Sequence, residues 1–469
     1  MVCVFLFMAA DSEEDSMAVS VSYDENHRLI LSGLECDCAC EHRVPDQDIY
    51  VGEDILPNLP KYISKRGLGK NCVLVCDKNT FKVAGERTNR ILTDAGINVI
   101  MCLIKRDGDL DPDERSVGEV LLSIQPETEF IVAVGSGSIT DTCRVNAART
   151  GLPFVSVGTA PSMDGYTSAV APLIFKGLKI HRQGPCPEII CCDTKIMATA
   201  PDWMIAAGVG DVLGKFIAKA DWKIGSIIND EVYCPTCGQI VTDAVNRLID
   251  NVQEIKAKTP KGIQILIEGL LLAGMTVLII GHTRAVASVE HNIAHFWDMS
   301  ELSLGHRAPC HGESVGIGTM MVWPMFVRFA DEDLSKIDFG KLKSNRMNRE
   351  QRVQWMHSTW GKENGDTIMM ENPGDFLTWE EQERRVRRAQ QRFPEIQAVI
   401  RELPPFEKIR DTLLTLNAPM TAADMGISDE VRNISIHCAK DYRTRYTLFK
   451  LLDECGLLKE YLSDYPIDL

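Results

Sequence analysis

The sequence predicts an α/β domain over residues 30–197 followed by an all-α domain over 198–469, the latter carrying a charged insertion at 331–400. Three observations carry this. Up to about residue 197, short apolar runs rich in β-branched residues alternate with amphipathic segments, the pattern of a parallel sheet covered on both faces. Beyond residue 200 strand patterns nearly vanish and apolar residues recur at helical spacing. The long apolar run from Ile263 contains Gln264, Glu268 and three glycines, so it reads as a buried helix, because an unpaired carboxylate is costly in lipid.

In chain order, residues 1–29 are expected to be a disordered or mis-called start, since the opening MVCVFLFM lacks a basic region and is too short to cross a bilayer. NCVLVCD (71–77) reads as a strand, NTFKVAGERTNRILTDAG as a helix and INVIMCLI as a strand. A helix around SVGEVLLSIQ, the strand FIVAVGSG (130–137), the helix TDTCRVNAART and the strand PFVSVGTA (153–160) follow. EIICCD (188–193) is one more strand. Helices are then expected over PDWMIAAGVGDVLGKFIAKADWKIG, where Pro201 suits a helix start, over TDAVNRLIDNVQEIKAK, over 263–281 and over RYTLFKLLDECGLLKEYL. The insertion, with its EEQERRVRRAQQRF, reads as a solvated helical segment.

Composition narrows the class. The 469 residues hold 50 Lys and Arg against 66 Asp and Glu, a net charge of −16, which argues against a general nucleic-acid binder. Sixteen scattered cysteines without a secretory signal suggest reduced thiols in a cytoplasmic protein. No membrane span is expected.

Two loops suggest a nucleotide. In VAVGSGSITD (132–141), Gly135 and Gly137 sit between a strand and a helix start, where unpaired N–H groups and a partial positive charge suit a pyrophosphate. The GxGxxG fingerprint is absent, because Thr140 stands at its last position, and a plain tight turn competes with a ligand loop. The next such turn, GTAPSMDGYTS (158–168), is long and polar where a structural turn could be short. Two elaborated loops at neighbouring strand ends are what a dinucleotide crevice requires.

A metal is suggested by EHNIAHF (290–296) and CHGE. His291 and His295 lie one helical turn apart on one face, and His311 follows in a loop-like context. Asn292, Ile293 and Ala294 occupy the places where a water-activating HExxH enzyme needs a glutamate. Asp211, in AAGVGDVLGK, offers a carboxylate. Core histidines and an ordinary helix aspartate are the competing readings. A further group, ECDCACEH (35–42), places Cys36, Cys38, Cys40 and His42 together. Its C-x-C spacing favours a strand with alternating side chains over zinc, whose paired cysteines usually stand further apart. CPTC (Cys234, Cys237) reads as a helix-start turn.

GSGSITD, TAPSMDGYTS, GVGDVLGK, EHNIAHFWDM and HGESVGIGT occur in the order and spacing of the sn-glycerol-1-phosphate dehydrogenases. The chain resembles the bacterial, AraM-like branch of that family, within the iron-containing alcohol dehydrogenase and dehydroquinate synthase-like superfamily. The resemblance covers residues 30–330 and extends more loosely to the C-terminus. It implies a nucleotide-binding α/β domain, a helical domain and an active site between them. It also implies reduction of dihydroxyacetone phosphate to sn-glycerol 1-phosphate by NADH or NADPH. By position, Gly137, Ser138, Ile139, Thr140 and Asp141 would follow the cofactor pyrophosphate. Thr159, Ala160, Pro161, Ser162 and Ser168 would also meet the cofactor, and Asp77 its adenosine ribose. Asp164 would bind substrate hydroxyls. Asp211, His291 and His311 would hold one divalent ion, with zinc, nickel or iron suiting one carboxylate and two imidazoles. His295 would contact substrate and handle its proton. Lys215, one turn after Asp211, is a candidate phosphate partner or a solvated helix lysine. A homodimer or larger homo-oligomer is expected.

The chain departs from the family at Ala285, Ala287 and Ser288, where a proline and a Ser-Gly are usual, and in its longer charged insertion. Three other functions compete: a glycerol dehydrogenase acting on an unphosphorylated polyol, a dehydroquinate synthase-like cyclase, and a metal-binding regulator. The cyclases use glutamate where this chain has Asp211.

Overall fold

A computed structural model describes residues 19–43, 46–176, 178–372 and 376–467. Of the stretch expected to be a disordered or mis-called start, residues 1–18 lie outside the described residues. Residues beyond them are ordered instead: Ser20–Tyr23 (β1) pairs antiparallel with Leu29–Ser32 (β2). The alternating SVSY sends Val21 into the core and carries Tyr23 to a hydrogen bond on Glu268.

The α/β part contains Asp48–Gly52 (β3), Asn71–Asp77 (β4), Asn98–Ile104 (β5), Phe130–Gly135 (β6), Phe154–Gly158 (β7), Val170–Phe175 (β8), Leu178–Gln183 (β9) and Ile189–Asp193 (β10). Six strands form one parallel sheet in the order β3-β10-β7-β6-β4-β5, and β8-β9 form a separate antiparallel hairpin. Helices Leu59–Arg66 (α1), Lys78–Thr80 (α2), Glu86–Asp94 (α3), Glu114–Ser123 (α4) and Gly137–Thr150 (α5) fill the connections. Strand alternation splits the core into two layers. Leu74, Val132 and Val155 pack towards Leu59, Ile63 and Leu92, while Val73, Val75, Ile131 and Ala133 pack towards Val120, Cys143 and Ala147. Each Leu, Ile or Val among them contributes about 1.5–3 kcal/mol by leaving water. The order in which strands are added reverses at β4, with β5 laid on one side of it and β6, its other parallel neighbour, on the opposite side. The ends of these strands, Asp77 and Gly135, therefore flank the switch point where open α/β sheets bind ligands.

The helical part begins with Thr194–Met197 (α6), Asp202–Leu213 (α7), Lys215–Asn229 (α8), Pro235–Asp250 (α9), Val252–Lys256 (α10), Pro260–Ile280 (α11), Val289–Ser303 (α12) and His311–Phe329 (α13). The helix expected from Pro201 breaks at Gly214, and TDAVNRLIDNVQEIKAK divides between α9 and α10. Helix α11 is long and apolar enough to cross a membrane, yet it is mostly buried, and Glu268 within it accepts from Tyr23, Gln264 and Arg247. Close crossing of α7 and α13 depends on missing side chains. A methyl group on Gly210 would overlap the Gly312 carbonyl oxygen, and one on Gly312 would overlap that of Ala207.

The charged insertion is more than a solvated surface. Its helix Trp379–Gln391 turns Val386 and Ala389 fully inward, and Ile396 and Ile400 from the next helix join the same core. Arg387 and Arg388 pair with Glu383 and Asp230 on the outer side, while Arg385 reaches in to Glu454, so composition alone read as solvated. A cavity of about 1620 Å3, lined by Arg346, Arg352, Arg385, Lys440 and Asp441 among others, shares no residue with the active-site cluster below.

Candidate active site

The glycine loop after β6 forms as its sequence suggests, but the helix starts earlier than expected, at Gly137. No side chain caps α5, so its first N–H groups remain open to an anion. Ile139 and Thr140 are buried, whereas Ser138 is partly accessible. The Asp141 carboxylate is held by Arg144, and burial pushes its pKa up to about 7 against the pull of that guanidinium. Asp77 ends β4 and caps α2, accepting from the N–H groups of Asn79 and Thr80 at 2.8 and 2.7 Å.

The loop after β7 lies beside the first. Thr159 N–H donates to Gly135 at 3.1 Å, Ser136 and Ser162 hydroxyls meet at 2.8 Å, and Tyr166 O–H donates to Ala160 at 2.8 Å. Ser168 closes its own turn by exchanging bonds with Val170. Fully buried Arg144, which sequence reasoning missed, fixes the loop by donating to the carbonyls of Gly165, Tyr166 and Val170. Pro161 presses its carbonyl against α7, where only a glycine at 208 leaves room. That contact sets Asp211, three residues on, directly below the loop.

Asp211 is fully buried. Its Oδ2 accepts from the Asp164 backbone N–H at 3.1 Å, and its Oδ1 lies 2.7 Å from Lys215 Nζ and 3.5 Å from His291 Nε2. Burial opposes its ionisation, but Lys215 and the imidazoles hold the carboxyl well below the usual range. Lys215 is not a solvated helix lysine. It is 1% exposed and donates to both Asp211 and Asp164 at 2.7 Å. Its ammonium is thus matched by two carboxylates. The Asp164 carboxyl is raised, by burial and by the charge on Asp211.

The histidine pair sits on α12 as the spacing requires, but the two rings are held differently. His291 Nδ1 is 2.7 Å from Glu290 Oε1, which turns Nε2 towards Asp211. Burial lowers its pKa, and the bonds to Asp211 and Glu290 more than reverse this. His295 Nδ1 is 3.4 Å from Asp298 Oδ2, and burial drives its pKa well below the usual value. His311 opens α13, with its ring centroid 5.4 Å from both His291 and His295. Burial pushes its pKa down to about 3.

Two overlapping donor sets result, Asp211-His291-His311 and His295-Asp298-His311, each with all donor atoms within 4.8 Å. The residues fit a divalent ion. The buried His311 Nδ1 has no hydrogen-bond partner, and a carboxylate orients His291 from its far nitrogen, as partners of metal-bound histidines do. Both carboxylates are fully buried and each is paired with a lysine, Asp211 with Lys215 Nζ at 2.7 Å and Asp298 with Lys179 Nζ at 2.5 Å, so the brace from Glu290 is what sets the first group apart.

Lys179 comes from β9 in the hairpin that sequence reading did not find, and it carries the α/β part across to α12. His181 on the same strand lies 5.6 Å, ring to ring, from His295. Tyr442 is 5.5 Å from His295, and Arg443 stacks over the Tyr442 ring at 4.4 Å. Burial, Arg443, Lys179 and Arg445 together press the His181 pKa down to about 4. Several cations therefore converge at the His295 end. Glu290 and Asp298 could have been found as helical neighbours in EHNIAHFWD. The C-terminal arginines carried no local signal.

A family model of iron-containing alcohol dehydrogenases matches residues 50–201. The glycerol-1-phosphate dehydrogenase [NAD(P)+] of Halalkalibacterium halodurans is 36% identical over 295 residues, covering 62% of this chain and 74% of the relative. The enzyme of that name from Geobacillus stearothermophilus is 29% identical over 427 residues, covering 90% and 96%. Among solved structures, glycerol dehydrogenase from Schizosaccharomyces pombe superposes with a TM-score of 0.57 at 15% identity, covering 92% of this chain and 93% of that one. A 1,3-propanediol oxidoreductase gives 0.58 at 16% identity, covering 90% and 99%. At such identities these structures speak for the fold alone.

Proposed function

The chain belongs to the glycerol-1-phosphate dehydrogenase family of iron-containing alcohol dehydrogenases, and from this premise we propose that its Asp211-His291-His311 cluster serves the NAD(P)H-linked reduction of dihydroxyacetone phosphate to sn-glycerol 1-phosphate. The carrying observation is the placement of these three donors against the loop after β7, where the Asp164 N–H donates to Asp211.

A divalent ion on these donors would polarise the substrate's oxygens, and a nicotinamide in the crevice would exchange hydride with the carbonyl carbon. The chain's own groups do the rest. The open N–H groups of Gly137 to Ile139 receive a pyrophosphate, and Thr159 to Ser162 line the adjoining wall. Asp164 offers a carboxyl to substrate hydroxyls while Lys215 balances its charge and that of Asp211. Asp298 fixes the His295 ring through Nδ1, leaving Nε2 to exchange a proton with the substrate oxygen. Arg443, beside Lys179 that Asp298 holds and Arg445 that Ala287 and Thr283 hold, offers the substrate phosphate a charge-assisted contact. The proposal extends to a homodimer or larger assembly in the cytoplasm, in keeping with described cysteines that are all free thiols. Light scattering on the purified protein measures the assembly.

NADH and NADPH oxidation is to be followed with dihydroxyacetone phosphate and with dihydroxyacetone, after reconstitution with zinc, nickel or iron. Turnover of the phosphate ester to sn-glycerol 1-phosphate is expected. Oxidation of cofactor with dihydroxyacetone alone would sink the phosphate assignment in favour of a glycerol dehydrogenase.

A further inference from the structure

Sequence reading favoured a strand for ECDCACEH, with CPTC as a helix-start turn. The second reading holds, since Pro235 opens α9 and Cys234 caps it. The first does not. Residues 36–43 belong to no strand. His42 folds back, placing Nδ1 3.0 Å from the Leu34 carbonyl oxygen, and the bend brings the cysteines to one side.

The fold adds a ligand that spacing could not reveal. Cys234, fully buried at the start of α9, meets the loop from across the sequence. Its Sγ lies 4.0 Å from Cys36 Sγ and 3.2 Å from His42 Nε2, and Cys38 Sγ lies 3.3 Å from the same nitrogen. All four donor atoms fall within 4.8 Å of one another. Zinc bonds of about 2.3 Å to sulfur and about 2.0 Å to nitrogen at tetrahedral angles give edges of about 3.8 Å between sulfurs and about 3.5 Å from sulfur to nitrogen. The observed sulfur–nitrogen spacings, 3.2 and 3.3 Å, lie a little below these and the sulfur–sulfur spacing, 4.0 Å, a little above. Two further features suit an ion. The carbonyl bond at Nδ1 fixes the tautomer that offers Nε2, as an outer partner of a metal-bound imidazole does. The Cys237 N–H donates to Cys234 Sγ at 3.3 Å from the start of a 16-residue helix, so a backbone group outside the cluster orients that sulfur.

We propose that Cys36, Cys38, His42 and Cys234 bind a structural zinc ion, separate from the catalytic cluster and closed by four protein ligands. The ion ties the segment after β2 to the start of α9. The cysteines pack with Trp222, Ala285 and Ala287, so the tie braces the back of the loop that leads into α12 and its histidines. This inference stands independently of the reaction assigned above.

The donor chemistry supplies a clean test on the full-length protein. Asp211, His291 and His311 contain no sulfur, so thiolate-to-cobalt charge-transfer absorption in the cobalt-substituted wild type reports the second site alone. Its presence, and its loss in Cys234→Ser, is expected. Metal analysis should give two equivalents in the wild type, one in Cys234→Ser or His42→Ala, and one in Asp211→Asn. Absence of the charge-transfer band from the cobalt-loaded wild type would overturn the proposal, whether or not the variants fold. So would a Cys234→Ser protein with unchanged metal content and band.

Discussion

The Asp211-His291-His311 cluster takes its donors from three helices of one packed body, whereas the Cys36-Cys38-His42-Cys234 cluster joins an irregular loop to a helix start 198 residues later. In the first, outside charges hold two of the donors: Lys215 holds Asp211 and Glu290 holds His291. In the second, the thiols have chiefly one another, His42 and backbone groups for company. The difference teaches what each is for. A site that must leave a position open for substrate needs donors that keep their geometry unaided, and ion pairs in a dry interior provide that. A site closed by four ligands can leave its assembly to the ion, because binding free energy is then folding free energy. Removing metal should accordingly abolish activity at the first and loosen the N-terminal segment at the second.

The largest effect is expected from Asp211→Asn. It removes the charge that balances Lys215 and one donor, so metal content and kcat/KM should fall together, the latter by about 10³-fold or more if several kcal/mol of charge stabilisation go with the ion. Metal analysis beside steady-state kinetics checks it, and an Asp211→Asn protein with full metal would break the contrast drawn here. Next comes His295→Ala. Metal should remain and kcat should drop by about 10²- to 10³-fold, the scale of a lost proton-transfer group. Loss of metal in that variant would instead move the ion to the His295-Asp298-His311 set.

Arg443→Ala should act on one substrate only. With a charge-assisted contact to phosphate gone, kcat/KM for dihydroxyacetone phosphate should fall by about 10- to 100-fold, while the weak rate with dihydroxyacetone stays put. An equal fall for both substrates would mean that Arg443 merely supports Tyr442, over which it stacks.

Much of this was legible in local pattern. Apolar runs announced β4, β6, β7 and β10, because a parallel sheet buried on both faces needs continuous hydrophobic strands. The glycine loop and the histidine pair announced themselves by residue type and spacing. What escaped depends on contacts between distant segments. The β8-β9 hairpin is short and mixed in polarity, so Lys179 and its bond to Asp298 were invisible. Lys215 stayed open between a phosphate partner and a solvated lysine, because helix position does not reveal that Asp164 arrives from the loop after β7 to pair with it. Cys234 lacked a second local pair, and its partners lay across the chain.

Asp221, behind the start of the histidine helix, gives the smallest, most specific prediction. From α8 it accepts from Ser288 Oγ at 2.5 Å, just before the histidine helix, and from the Leu448 N–H at 2.6 Å. Burial raises its pKa to about 7 despite these bonds. An acid raised in this way holds its proton in the folded state, while the unfolded chain releases it from about 3.8 upward. Its contribution is therefore full below about 3.8 and is lost progressively as pH rises towards 7, by about 4 kcal/mol at most. Asn at this position mimics the protonated acid, since its amide can donate to Ser288 and its carbonyl accept from Leu448. Asp221→Asn should thus flatten the decline of Tm with pH across that window while leaving metal content at both sites unchanged. An unaltered slope would mean that Asp221 is ionised in the fold, with Arg284, which donates to its backbone carbonyl, neutralising it at close range.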